Sequence, residues 1–500
     1  CVIPQCRSSQ HSNQFSIIPI TLKANTISPL EFGLSDAQSD VDRYLVLLKT
    51  HQEALKTGSN VDYFGIGELH IELPQGAKPI PLCKETDFKG LKLYVTNRTK
   101  NLYMFTRVKG QKKMDITKEE FYSGAYLKRD EFRSGSCLLI IEDGTPWVEN
   151  RLGYSYGAIR KDVILIVDGR AKNGPVASYN TEVSQPKFKY CKVEKNGGYI
   201  SNLDFYRTEE STFKTYPLQV SGQNAYAIEN VSVHTPEADQ YGDAAISISD
   251  CTNTKLNGIG IWGAYSLTNK YGYGISLNNV WNTMVENMLS ETKWGVFGTN
   301  NVNLCTLRNC QINRFDIHCY GRDILMENCY FKGLYNQYSS VFGTISHKRC
   351  VFEDQRPCLI ESSYNAYTGF DISFEDCIFK MTPTKNELVY LMKMPTDINS
   401  RPELKEKCLP NVKVCNCSFE FSDDMKEWYV YRVGNKTLDE TIGYVTSIDI
   451  RDTKLSKGVK CQISNIDIKT KKGVKYRIKR WKTPKGLNYK NEMVKNLIKN

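Results

Sequence analysis

Two hydrophobic rhythms run along this chain. Residues 35–58 (SDAQSDVDRYLVLLKTHQEALKTG) place Val41, Leu45, Leu48 and Leu55 at helical spacing with Tyr44 beside them, predicting one helix that Gly58 ends. Ser35 is the expected cap, with Gln38 three residues on as in a capping box. Ser39 with Asp42 is the alternative start. Nearly everything else alternates apolar and polar over short stretches, as strands do: VDYFGIG, LHIELP, GLKLYVTN (90–97), SCLLIIED (136–143), DVILIVDG (162–169).

From about residue 225 the strands repeat. A strand ends in Asn, Asp or Arg, followed by Cys, any residue and an apolar one: LRNCQI (Cys310), MENCYF (Cys329), HKRCVF (Cys350), FEDCIF (Cys377), VCNCSF (Cys417). Looser members centre on Val231, Gly258, Met288 and Ile466. The steps from 231 are 27, 30, 22, 19, 21, 27, 40 and 49, a period near 20 with insertions at one corner. Such a period marks a solenoid. No unit has room for a helix and the leucine-rich consensus is missing, so the expected fold is all-β, a right-handed parallel β-helix with an N-terminal capping helix. The cysteines then form one interior column of free thiols, small apolar fillers stacked rung on rung at about 4.8 Å. Asn309, Asn328 and Asn416 sit at the turn before it, where Asn tolerates left-handed backbone.

The chain divides into a polar segment 1–30, a cap with first rungs 31–105, rungs with a Tyr/Arg-rich excursion 106–200, a β-helix core 201–470 and a basic tail 471–500. Lys and Arg exceed Asp and Glu by 66 to 55, a net +11. Residues 471–500 carry eleven Lys/Arg against Glu492 alone, so the other 470 residues hold about +1. The excess belongs to the tail and no nucleic-acid partner is expected. No run approaches the length of a membrane-spanning helix. Seventeen cysteines are too few for a disulfide scaffold. Neither they nor the scattered histidines have zinc spacing, and no nucleophile elbow or dinucleotide fingerprint occurs. The start at Cys1 fits a lipid-anchored mature chain, an exported chain without lipid, or a boundary within a longer chain.

The helical cap, the NCxF rungs and the Tyr-rich excursion resemble the pectate-lyase-like β-helix superfamily over roughly residues 30–470, with the nearest likeness to secreted or lipoprotein members from gut Bacteroidetes. That resemblance implies the fold and a glycan partner. It leaves lyases, hydrolases, esterases, epimerases and non-catalytic adhesins open.

Candidate chemistry comes from aligning each repeat on Ile275, Val296, Ile317, Val341 and Ile360. Outward positions then gather Lys293, Arg314, Asp316, His318 and Glu361 as catalytic candidates, flanked by Phe297, Tyr320, Tyr338 and Phe342 as sugar-binding ones. A hydrolase reading pairs Asp316 with Glu361, about 10 Å apart. A lyase reading uses Lys293, Arg314 and His318 on a uronate, with calcium admitted as cofactor although its acidic cluster is missing. The excursion offers Trp147, Arg151, Tyr156 and Arg160 as further sugar contacts, along with Asp143, Glu149 and Tyr154. The expected function is a secreted polysaccharide-degrading enzyme, leaning to glycoside hydrolase. The alternatives are a lyase, a glycan-binding adhesin and a phage-like tailspike depolymerase.

Overall fold

The computed structural model describes residues 25–148, 158–175, 184–195, 197–236, 244–263, 273–292, 295–333, 336–338, 341–353, 358–359, 371–381, 389–393, 410–421, 427–432, 446–455, 460–464 and 474–478. Cys1 and the tail beyond 478 lie outside these residues. The chain coils into a right-handed parallel β-helix, in which each strand pairs in parallel with its counterpart one rung on. Leu203 pairs with Val231 and Val231 with Ile259, all buried. Val474–Ile478, the start of the basic tail, adds one more strand against Thr446–Arg451.

A helix, Asp40–Thr57, precedes most of the coil. Its cap is Ser39, whose hydroxyl accepts the Asp42 amide; Ser35 instead falls in a short 3-10 turn, Leu34–Asp36. Gly58 ends the helix at a left-handed φ of 70°. The buried stripe is Tyr44, Leu47, Thr50, His51 and Ala54, whereas Leu45 and Leu55 of the expected stripe face outward. The stripe rotates because its polar members find partners. Tyr44 donates to the Lys78 carbonyl and accepts its amide, and His51 Nε2 meets Tyr63 Oη at 2.9 Å.

The cysteine column is present. Register runs it through Leu203, Val231, Ile259, Met288, Cys310, Cys329, Cys350, Cys377, Cys417 and Thr453. Gly258 is therefore one residue off, a left-handed turn residue next to the column. Thr453 rather than Ile466 follows Cys417. Burial raises the thiol pKa of Cys310, Cys329, Cys350 and Cys377 far above the free value, so they remain protonated, unpaired core fillers. Two residues on, Phe331, Phe352, Phe379 and Phe419 stack at 4.9, 4.9 and 4.3 Å, nearly parallel. The preceding turn is an amide ladder in left-handed backbone: Asn328 donates to Asn309, and Asn416 to Asp376.

Residues 106–200, expected as rungs with an excursion, are largely something else. Lys112–Met114, Ser136–Val148, Ala158–Val167, Arg170–Ala171 and Pro186–Lys192 form a separate five-stranded antiparallel sheet. Continuous apolar runs on both strand faces make it. Leu138, Ile140, Val163 and Leu165 gather on one face, with Trp281 of the β-helix packed against them. Leu139, Ile141, Ile164 and Ile166 pack on the other under Phe121 and Phe132. Gln111 donates to Asp250 and Arg322 to the Gly174 carbonyl, fastening the unit to the coil.

Two buried histidines make this core acid-sensitive. Burial lowers His51 and His347 from 6.5 to about 3. The unfolded chain takes protons that the folded chain refuses, so stability falls as pH drops from 6.5 toward 3. With both groups refusing protons the slope is roughly 3 kcal/mol per pH unit. Urea midpoints between pH 6.5 and 4.5 should fall steeply, and His347→Phe should remove about half the slope. An unchanged slope in that variant would contradict the assignment.

Candidate functional site

The outward face of the strands around Phe315–Glu327 carries the candidate site. Ile275 pairs with Phe297 and Phe297 with Phe315. Gly298, Asp316, Gln337 and Leu359 form the next column, and Val341 lies against Gly321. The column assumed from the sequence is thus displaced by one residue at Val296 and by two at Ile317, and Val341 belongs to another column.

That displacement corrects several expected roles. Phe297 and Tyr338 point into the core; the Tyr338 hydroxyl meets His347 Nε2 at 2.8 Å. Tyr320 is buried at a left-handed corner and stacks on half-buried Phe342 at 5.6 Å. Arg160, 1% exposed within the antiparallel sheet, is no surface contact for a sugar. Lys293, Glu361, Glu149, Arg151, Tyr154, Tyr156 and the Trp147 side chain lie outside the described residues.

Arg314, Asp316 and His318 do come together. Asp316 alternates with the core residues Phe315 and Ile317, and Arg314, just before the strand, and His318, at a register shift within it, both turn to it. The Arg314 guanidinium contacts Asp316 Oδ1 at 2.8 Å and donates to the Gln337 side-chain carbonyl. His318 Nε2 lies 3.3 Å from Asp316 Oδ2. Asp316 and Arg314 are 0% and 2% exposed, while His318 keeps 21% of its surface open. Burial pushes the Asp316 carboxyl up, but Arg314 and His318 more than offset it, and its pKa ends below the usual carboxylate range. The carboxylate is therefore ionised and unavailable as a proton donor at neutral pH.

Tyr273, just before the strand Ile275–Glu286, completes the group. Its ring crosses Gly298, where a Cβ would sit 2.4 Å from ring carbon. Its hydroxyl reaches His318 Nε2 at 2.6 Å and Asp316 Oδ2 at 3.3 Å. Neither Tyr273 nor Gln337 is evident from the sequence. The one signal is a glycine, Gly298, in line with Asp316, leaving space that an aromatic ring from a neighbouring rung fills. Gly298→Ala should therefore dislodge Tyr273 while leaving the strand, whose backbone is not left-handed here, intact. The expected result is a shifted His318 imidazole resonance with an unchanged urea midpoint; an unshifted resonance would contradict the placement.

Chemically, the group is an acid/base pair held by a buried charge. An ionised carboxylate fixes an imidazole, and the imidazole shares a hydrogen bond with a phenol. Among the described residues no three His, Cys, Asp or Glu side chains gather to hold a metal ion. Asp316, the acidic side chain present, is committed to Arg314, so the calcium admitted by a lyase reading does not fit these residues.

No protein-family model matches the sequence, and no curated protein matches it either. Among solved structures the chain is similar to the tailspike of Acinetobacter baumannii bacteriophage AP22, solved in complex with A. baumannii capsular saccharide. Identity is 9%, TM-score 0.50, with 90% of this chain and 79% of that one covered. It is also similar to the tailspike of Pseudomonas phage LKA1 at 12% identity and TM-score 0.41, covering 87% of this chain and 78% of that one. A third is the A-module of the Azotobacter vinelandii mannuronan C-5 epimerase AlgE4, at 9% identity and TM-score 0.40, covering 91% and 98%. At 9% identity what the chain shares with the AP22 tailspike is the fold.

Proposed function

We propose that this chain is an exported glycan-degrading enzyme that cleaves a uronate-containing polysaccharide by β-elimination at Tyr273 and His318. The observation that carries the reading is the 2.6 Å contact between a phenol and a part-exposed imidazole, braced by an ionised, buried Asp316. His318 removes the proton next to the uronate carboxyl. The C–H electrons form the new C=C bond, the neighbouring C–O bond breaks, and Tyr273 gives its proton to the leaving sugar oxygen. Proton transfer back from His318 to Tyr273 across their hydrogen bond resets the pair. A hydrolase would need Asp316 with Glu361 as its two carboxylates, but Asp316 is buried in an ion pair with Arg314. The saccharide named with the AP22 tailspike supports a glycan as ligand. Export goes with a polymeric substrate, which lies outside the cell.

The test is digestion of plant, host and microbial polysaccharides, followed both by ultraviolet absorbance of the unsaturated product and by new reducing ends. The expected result is both signals rising together on a uronate polymer. Reducing ends without the absorbance would make the enzyme a hydrolase and overturn the elimination. Binding without either signal would make the chain an adhesin.

A further inference from the structure

The rungs on the N-terminal side of the acid/base pair carry an unusual run of side chains. In line with Asp316 the outward column reads Gly298, Ser276, Ser247 and Gln219. The outward position two residues further along each strand reads Asn300, Asn278, Ser249 and Ser221. Their inward neighbours, Ile275, Leu277, Ile246, Ile248, Leu218 and Val220, are all buried. Among these described outward positions no side chain is charged; a charge enters at the corner. There Asp250 is buried and hydrogen-bonded by Gln111, Asn279 and Ser221. The stripe spans four rung steps, about 19 Å.

Its hydrogen-bonding capacity is unevenly used. Asn300 donates to Asn278, and Asn278 to Ser276. Gln219, Ser247 and Ser249 have no side-chain hydrogen bond among the described residues. A strip of hydroxyls and amides that begins at a catalytic pair suits the hydroxyls of neutral sugars. It offers nothing to neutralise a row of carboxylates, which a polyuronate would place along it.

We infer that the glycan lies along this stripe with neutral sugars over the part-exposed Ser276, Asn278, Ser249 and Gln219, and that its acidic residue falls only at Tyr273 and His318. This rests on the function proposed above and narrows it. The substrate is a heteropolysaccharide in which uronate residues are separated by neutral ones, and homopolymeric uronates are excluded by the uncharged floor.

The experiment uses gel retardation by polygalacturonate and by polymannuronate at low and high salt, with a mixed neutral–acidic polymer such as glucuronoxylan in parallel. The proteins are the full chain, Asn278→Lys, Ser249→Lys and a control, Ser232→Lys, which adds the same charge on a different strand face. The expected result is weak retardation of the unmodified chain by both homopolymers. The two stripe variants should gain at least about tenfold in affinity, lost at high salt, with no gain in the control. Strong homopolymer binding by the unmodified chain that persists at high salt, where the basic tail is screened, would overturn the inference. So would stripe variants that gain no more than Ser232→Lys. Either failure leaves the acid/base reading standing, since that reading is tested separately, by the absorbance of the product and by the turnover of His318→Ala and Tyr273→Phe.

Discussion

On the proposed elimination, replacing His318 by alanine should lower turnover by about 10²–10⁴-fold while binding of the glycan changes little. The effect is large because His318 keeps part of its surface open and reaches both Tyr273 and Asp316. Tyr273→Phe removes only an oxygen and should cost a similar factor. The double variant should be barely worse than either single one, because residues that pass one proton act as a unit. Asp316→Asn keeps the shape but removes the charge that holds the imidazole. Its expected signature is a shifted pH profile as well as a lower rate, which loss of packing alone would not produce. Steady-state kinetics of these four variants on the polymer found by digestion check the set. An unchanged rate in His318→Ala would refute the assignment.

The largest stability effect should come from Arg314→Met. Its guanidinium is buried against a fully buried carboxylate, so removing it strands Asp316 without its cation. Breaking such a pair costs about 3–5 kcal/mol. The pair as a whole is a different matter, since desolvation opposes the attraction of its two charges. Arg314→Met with Asp316→Leu should therefore recover much of the loss in a urea titration, although the site is dead. A double variant no more stable than Arg314→Met would show that Asp316 is held by other partners and that Arg314 contributes mainly through packing. The same pair explains why Asp316 serves the site as a fixed charge.

Much of the fold is legible because parallel rungs repeat their chemistry. One cysteine and one phenylalanine per turn, two residues apart, mark the column directly, and Asn before the cysteine marks the left-handed corner. The register on the opposite strand is not legible, for a specific reason. Val296 and Phe297 are both buried, so alternation gives no preference between them as the partner of Ile275. Phe315 and Ile317 are also both buried and share a face, so a slip of two is invisible to alternation. The first ambiguity puts Phe297 on the surface; Tyr338 joins it because the spacing aligns Val341 with Ile317, whose partner is Tyr338 itself.

Two other features escaped the sequence for related reasons. The helix buries His51 and Thr50, residues that a hydrophobicity pattern assigns to solvent, because Tyr63 and the Val46 carbonyl satisfy them. The antiparallel sheet has apolar residues on both strand faces, which reads equally well as buried rungs. By contrast Arg314, Asp316 and His318 were legible as a cluster, since residues two apart on one strand share a face whatever the register.

The measurement that tests the central claim most directly compares the unmodified chain with Tyr273→Phe on one uronate-containing polymer. Product is read by ultraviolet absorbance and binding by retardation on the same polymer. The acid/base site predicts a rise in absorbance for the unmodified chain and a loss of at least about 100-fold in Tyr273→Phe, with retardation unchanged. A Tyr273→Phe protein that cleaves at the original rate would contradict it.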